Sequence, residues 1–245
     1  MDQRYAIFGD IHANLEALTA VIEDARSQHV TDFVCLGDIV GYNANPRECV
    51  EIIRDLGAVT VRGNHDHYCS HDEYLDDFQP LAASVIAWTR RQLSAENVDW
   101  LRSLPYTRIM HACGMTAVHS TLDLPDRWGY VFDLLDAEAH FNYQTTPICF
   151  HGHTHVPLVF EKNSQILRSD ANSLVKIVFG TKYFANSGSV GQPRDGDPRS
   201  SYVIYAPKMK ELAFRRVAYD IETAADKVLA AGLPERLAER LFRGR

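Results

Sequence analysis

Cysteine is scarce and scattered. Cys35, Cys49, Cys69, Cys113 and Cys149 are odd in number and form no CxxC pair. That excludes a disulfide framework and a thiolate zinc site, and a reducing cytoplasm is the expected compartment. A basic surplus is also missing: 25 Lys and Arg stand against 32 Asp and Glu, a net charge of −7. Bulk binding to nucleic acid, which leaves a basic footprint, is therefore not expected. No apolar run reaches eighteen residues, and the start, MDQRYAIFGD, has no basic stretch followed by an apolar one. Neither a membrane span nor a signal peptide is expected. Repeats and low-complexity tracts are absent as well. What remains is a chain of 245 residues, 46% hydrophobic, short enough for one compact domain. The expected organisation is a single domain over 1–245 with a helical insert at about 67–110.

Strand and helix signals alternate three times at the start. Tyr5–Phe8 is a β-type run, Asn14 can cap a helix through Leu15, Leu18 and Ile22, and Phe33–Leu36 is a continuous apolar run. Asn45, Pro46 and Glu48 stand in capping-box register for a second helix that Gly57 stops. Ala58–Val61 reads as the third strand, so a parallel α/β layer is predicted. Helices are predicted over Pro80–Leu93 and from Ser94 through Leu101. Further strands are predicted at Met115–Val118, Ile148–Phe150, Leu158–Phe160, Lys176–Phe179, Tyr183–Ala185, Tyr202–Tyr205 and Leu212–Val217. The tail, Ile221–Leu241, reads as helix interrupted near Gly232-Leu233-Pro234. The fold class is α/β with strands in mixed order.

Polar residues fall at repeated places in this pattern. Each early strand ends in glycine followed by potential metal ligands: Gly9-Asp10-Ile11-His12, Gly37-Asp38 and Gly63-Asn64-His65-Asp66. His119 follows a fourth strand, and His153 and His155 follow a fifth. Sites in open α/β sheets form outside the carboxyl ends of strands, so these side chains can converge. Any one fragment is weak: Asp-x-His is usually accidental, and a lone buried histidine is usually structural. The bland reading must be invoked separately for each fragment, and all agree in position and type. Carboxylates with imidazoles suit Mn, Fe, Zn, Co or Ni. Two such ions about 3.5–4 Å apart can clamp the attacking and leaving oxygens of an in-line displacement. One carboxylate must then bridge, and Asp38, alone at its strand end, is the natural candidate.

The ordered set GDIHAN, GDIVGY, GNHD, VHS, GHTH resembles the signature of the calcineurin-like metallophosphoesterases. The stretch Asn186–Arg194 is similar to one found in the small bacterial and archaeal phosphodiesterase branch. The resemblance implies a four-layer α/β/β/α sandwich of two mixed sheets flanked by helices. It also implies two divalent or trivalent transition-metal ions (Mn, Fe, Zn, Ni or Co). The first would take Asp10, His12, Asp38 and His155; the second would take Asp38, Asn64, His119 and His153. His65 would contact the phosphate or protonate the leaving oxygen, with Asp66 orienting its ring, and Asn64 and Arg194 would help bind substrate. Ser187 stands where the family stretch would carry proline.

The expected activity is hydrolysis of phosphodiesters, with a phosphomonoesterase acting on nucleotides or phosphoprotein as the alternative. The expected partner is a small phosphate ester, nucleotides included. A non-catalytic scaffold of the same fold is the reading from another class. The retromer complex contains such a protein, which lacks the histidine of GNHD; His65 is present here. His29, His111 and His140 are expected at the surface or in packing, and His67 and His71 in a solvated loop, with a place lining the cleft as the alternative. His151 is expected either in the core or behind a metal ligand.

Overall fold

The computed structural model describes residues 2–75, 79–171 and 174–245. The chain begins β1 (Tyr5–Phe8), α1 (Leu15–Ser27), β2 (Asp32–Cys35), α2 (Pro46–Asp55) and β3 (Val59–Thr60). It continues through α3 (Asn64–Ser70), α4 (Pro80–Gln92), α5 (Ala95–Ser103), β4 (Thr107–Met110), β5 (Met115–Val118) and α6 (Leu134–Phe141). Then follow β6 (Ile148–His151), β7 (Leu158–Lys162), β8 (Ile166–Asp170), β9 (Leu174–Lys176), β10 (Lys182–Asn186), β11 (Ser200–Ala206) and β12 (Glu211–Val217). The helices α7 (Ile221–Ala230) and α8 (Glu235–Arg243) close it.

Two six-stranded mixed sheets result, ordered β3-β2-β1-β11-β12-β9 and β4-β5-β6-β10-β7-β8. The trios β1–β2–β3 and β5–β6–β10 are parallel within their sheets, and β11 and β7 then pair antiparallel to β1 and β10. Alternation along β1 explains the layering, since successive side chains point to opposite faces. Ala6 and Phe8 pack outward under α1 and α2, among Leu18, Val21 and Ile53. Tyr5 and Ile7 face inward, against Met115, Phe150 and Tyr183 of the second sheet. The outer face of that sheet buries Cys149, Phe160 and Phe184 against Ala137 and Phe141 of α6. This is the α/β/β/α sandwich implied by the motifs. All five cysteines are free and buried, as small core residues. No helix among the described residues is long and apolar enough to cross a membrane.

Several local expectations need correction. Asn45 does not cap the α2 backbone; its side-chain amide instead donates to Glu48 Oε1 at 3.2 Å. The run Lys176–Phe179 is not a strand, because β9 ends at Lys176 and the chain turns; Phe179 is 97% exposed. Edge strands β4 and β8 and helices α3 and α6 had no strong periodic signal. In the span 67–110 the described residues hold the end of α3, then α4, α5 and β4; residues 76–78 lie outside the described residues.

One ion pair staples the outer layer. Asp24 on α1 accepts from Tyr202 Oη at 2.6 Å and from Arg215 Nε and Nη2 at 2.7 and 2.8 Å. The bond to Arg215 holds the carboxyl below its ordinary value of 3.8, with burial opposing. A depressed folded-state pKa means the stabilisation is full above pH 3.8 and fades as pH falls through the folded value. Asp24→Asn should cost about 1–3 kcal/mol at neutral pH. Its melting curve should approach that of wild type as pH falls through the folded-state value, where the Asp24 carboxyl of wild type becomes neutral. A difference that persists unchanged there would count against the ion pair.

Candidate metal centre

The parallel trios end at the same rim, and their following loops carry the polar residues. Backbone bonds lock these loops together. His12 and Ala13 amides donate to the Asp38 and Ile39 carbonyls, and Gly191 and Val190 amides donate to the Asp10 and Gly9 carbonyls. Asn14 does cap α1, accepting from Ala17 N at 3.1 Å, and its amide also reaches the Gly191 carbonyl. The Asn186–Arg194 stretch thus returns beside Asp10. At its start the Ser187 amide donates to the His151 carbonyl, a bond that proline in this place could not make.

Asp10, His12 and His155 form one buried group whose ligand atoms lie within 4.8 Å of one another; Asp38, His119 and His153 form another. The rings are fixed from behind. Nδ1 of His12, His119 and His155 meets the carbonyls of Val40, Leu36 and Gln192 at 3.1, 2.9 and 2.6 Å. His153 is turned over: its Nε2 meets the Trp128 carbonyl at 2.9 Å. A carbonyl oxygen only accepts, so each of these nitrogens carries its hydrogen. In a neutral ring the facing nitrogen is then a bare lone pair. Yet His12 Nε2 and His155 Nε2 lie 3.1 Å apart, as do His119 Nε2 and His153 Nδ1. Two lone pairs at that distance repel unless a cation lies beside both, a metal ion or, between His119 and His153, a proton held on His119. The donor set therefore fits metal ions, with the backing carbonyls fixing the tautomers.

Asp38 faces both groups, and with His12 and His65 it forms a third. Its Oδ2 is 3.6 Å from His12 Nε2 and 3.4 Å from His119 Nε2, while Oδ1 accepts from the His65 amide at 2.8 Å. Asp10 Oδ1 is 3.3 Å from His155 Nε2. Asn64 Oδ1 lies 3.1 Å from His119 Nε2. Counting the protein's own charges, burial holds His12 well below its ordinary value, His153 at about 3 and His155 low. Those rings are neutral at pH 7 and free to donate electron pairs. Burial opposes charge on His119 too, but the Asp38 carboxylate beside it lifts it to about 9. A positive charge is stabilised at the point where the two groups meet.

Five of these side chains sit on left-handed backbone: Asp10, His12, Asp38, His153 and His155 have φ of 50, 49, 52, 68 and 61°. Glycines bring the strands close. A Cβ on Gly152 would lie 2.3 Å from Asp10 Oδ2, and one on Gly63 would lie 2.1 Å from Asp38 Oδ1. Gly152→Ala should push Asp10 aside and weaken metal binding by about 10–100-fold, the usual size for disturbing a ligand's support. Titration of the variant with Mn²⁺ tests this; unchanged affinity would mean that Asp10 is not a ligand.

His65 is 5% exposed, and one of its ring nitrogens lies within 4.8 Å of ligand atoms of His12 and Asp38. Its ring packs between His12 and Tyr42, at 4.9 and 4.5 Å between centroids, and Nδ1 is buried without a hydrogen-bond partner among the described residues. Burial pushes its pKa to about 4. Asp66 does something other than orient this ring. Its carboxylate accepts from the amides of Asp38, Ile39, Val40 and Gly63 at 2.8–3.3 Å. It therefore holds the Asp38 loop against the start of α3.

Other residues at the rim carried no sequence signal for this role. Tyr42 packs on His12 and His65, and Arg194 Cζ lies 5.8 Å over its ring. The Arg194 guanidinium also donates to Gln192 Oε1 at 3.0 Å. Tyr130 stacks on His153 at 4.1 Å, and Phe132 stacks on Tyr130 in turn at 5.5 Å. Trp128 supplies the carbonyl behind His153, and its ring lies 5.9 Å from His67. His67 is thus on α3, partly buried and bonded to Glu73, rather than in a solvated loop. His151 bonds Asn186 and stacks on Phe184, as a core histidine; His140 stacks on the same phenylalanine.

Comparison with known proteins agrees with this geometry. The model of the calcineurin-like phosphoesterase superfamily domain matches residues 4–209. An uncharacterized protein of Methanocaldococcus jannaschii is 42% identical over 243 residues, 98% of each chain. The crystal structure of a metallophosphoesterase from Sphaerobacter thermophilus is 41% identical, covers 100% of both chains and superposes with a TM-score of 0.89. A hypothetical protein from Pyrococcus horikoshii shares the fold at 20% identity, with a TM-score of 0.81 over 99% of this chain and 98% of that one.

Proposed function

The chain belongs to the calcineurin-like phosphoesterase superfamily, and on that premise we propose that it hydrolyses phosphodiesters at a two-metal centre. The first ion would be held by Asp10, His12, Asp38 and His155, the second by Asp38, Asn64, His119 and His153. The observation that carries this reading is the single Asp38 carboxylate facing both histidine groups. Bound there, two cations would acidify a shared water and neutralise phosphate oxygens. The protein's own groups would do the rest. Asn64 and His65 would hold the phosphate from the α3 side, with Asp66 fixing the loop that presents Asp38. Arg194, braced by Tyr42 and Gln192, would take a non-bridging oxygen or the second ester group.

The decisive experiment is turnover of model diesters, monoesters and phosphopeptides by the purified chain, before and after chelation. Hydrolysis should vanish with chelator and return with Mn, Fe, Zn, Ni or Co, fastest for diesters. A monoester preference would favour the phosphomonoesterase reading. No turnover of any ester with any of these metals would leave the scaffold reading.

Arg194 offers a narrower test. Its planar fork suits phosphate in a way that the point charge of lysine does not. Arg194→Lys should lower kcat/KM for diesters by about tenfold, the loss of roughly one charged hydrogen bond. Metal content should not change. Equal kinetics for Arg194→Ala and wild type, on diesters and monoesters alike, would return this residue to the solvated surface.

A further inference from the structure

Several arginines of this chain are neutralised in place. Arg54, Arg199, Arg215 and Arg216 each meet a carboxylate within hydrogen-bond reach. Arg194, Arg236 and Arg240 meet none among the described residues, although the chain has an acidic surplus. The three are also neighbours. Tyr42 links them to the metal centre: one side of its ring region packs on His12 and His65, and the rest joins the apolar cluster of Leu237, Ala238 and Leu241 on α8. Arg194 lies over that ring. Arg236 and Arg240 stand one helical turn apart on the same helix and so share a face. The end of α8 is tied to the Arg194 loop, since the Gly196 amide donates to the Gly244 carbonyl at 2.9 Å.

The charges of half-buried Arg194 and Arg240 and of exposed Arg236 repel one another, and no carboxylate among the described residues pairs with them. Burial, then the charges of Arg194 and Arg236, pull the Arg240 guanidinium below its ordinary value. A further donor waits nearby. Gln192 is 1% exposed; its Oε1 is taken by Arg194, and its Nε2 is buried without an acceptor among the described residues. Donors and positive charges thus accumulate on one side of the centre with no acceptor among them. An anion supplies what is missing.

We propose that Arg240, with Arg236 and Arg194, forms a second anion subsite that receives another phosphoryl group of the same substrate. The substrate class is then a phosphate ester carrying at least two phosphates, either linked as a polyphosphate or placed on one molecule. This inference rests on the reading of the metal centre as the place of the scissile phosphate. Arg194 stands between the two positions and serves both.

Calorimetry in manganese-buffered solution tests it, with orthophosphate, pyrophosphate and tripolyphosphate as probes. The wild-type chain should bind one of the longer probes more tightly than orthophosphate. Arg240→Gln should cut that preference by about tenfold, the loss of roughly one charged hydrogen bond, and Arg236→Gln/Arg240→Gln should cut it further. Arg240→Lys should keep most of it. Arg236 is exposed and Arg240 half-buried, and neither belongs to an apolar cluster, so the variants should fold, and melting curves check that. An unchanged preference in the double variant overturns the subsite; so does a fall in orthophosphate affinity as large as that of the longer probes. Ester hydrolysis is measured in parallel. If no ester is turned over while the arginine-dependent preference persists, the phosphoesterase reading fails and the subsite stands. If esters are hydrolysed and the preference ignores both arginines, the subsite alone fails.

Discussion

Asp38→Asn is expected to lower kcat/KM by at least about 10³-fold and to leave both metal positions weak. A clamp on attacking and leaving oxygens is worth several kcal/mol, and each 1.36 kcal/mol is a factor of ten. Asparagine keeps the shape and tolerates the left-handed backbone that Asp38 adopts, so the fold should survive. It can also still accept from the His65 amide. What it loses is the negative charge facing His12 and His119 together. Elemental analysis of protein purified without chelator should approach two transition ions for wild type and fall well below that for the variant. His119→Ala should empty mainly the second position. A folded, metal-saturated wild-type chain that holds one ion would sink the two-metal reading.

His65→Asn is expected to keep the fold and the metal content while kcat falls by about 10²–10⁴-fold, the range for losing a positioned proton donor. The environment sharpens the question of how His65 works. Burial pushes it to about 4, so at pH 7 the ring is neutral before substrate arrives. A neutral imidazole can donate a hydrogen bond to a phosphate oxygen. It can act as a full acid only if the negative charge of the bound ester raises its pKa. Esters with good and poor leaving groups distinguish these roles. A general acid matters most for poor leaving groups, whereas a phosphate-binding ring should matter equally for both. Equal losses would move His65 to binding; no loss at all would remove it from the site.

Much of the centre was legible because its ligands follow glycine at strand ends, and a strand end is visible as the point where an apolar run stops. Asp10, Asp38 and Asn64 are found this way, and the topology then brings them together with His119, His153 and His155. The supports were not legible. His12, His119 and His155 are oriented by the backbone carbonyls of Val40, Leu36 and Gln192, and a carbonyl has no residue identity. Asp66 was assigned to the His65 ring because the two are adjacent in sequence. Its oxygens turn inward instead, because α3 begins at Asn64 and places them over the amides of the Asp38 loop. The short elements failed for a different reason. A four-residue edge strand such as β4, with Arg108 and Ile109 both exposed, has no buried face to impose alternation. Ile177-Val178-Phe179 has the composition of a strand, but past Lys176 the chain leaves the ladder, with the Ile177 amide donating to the Lys210 carbonyl and the Val178 amide to the Tyr183 hydroxyl. Arg240 is invisible for the plainest cause: on a helix rich in Arg and Glu, nothing local sets the half-buried arginine apart from the exposed ones.

The left-handed ligands have one more consequence, and it concerns descent rather than chemistry. Each such residue with a Cβ carries strain of order 1 kcal/mol or more, which glycine would relieve. Five of them lie in one centre. In a lineage freed from the need to hydrolyse anything, replacing Asp10 or His155 by glycine would both abolish the ligand and relax the chain. Decay of the site is therefore downhill in stability, unlike the decay of a core, which most substitutions loosen. Holding five candidate ligands on strained backbone is thus a standing cost in stability.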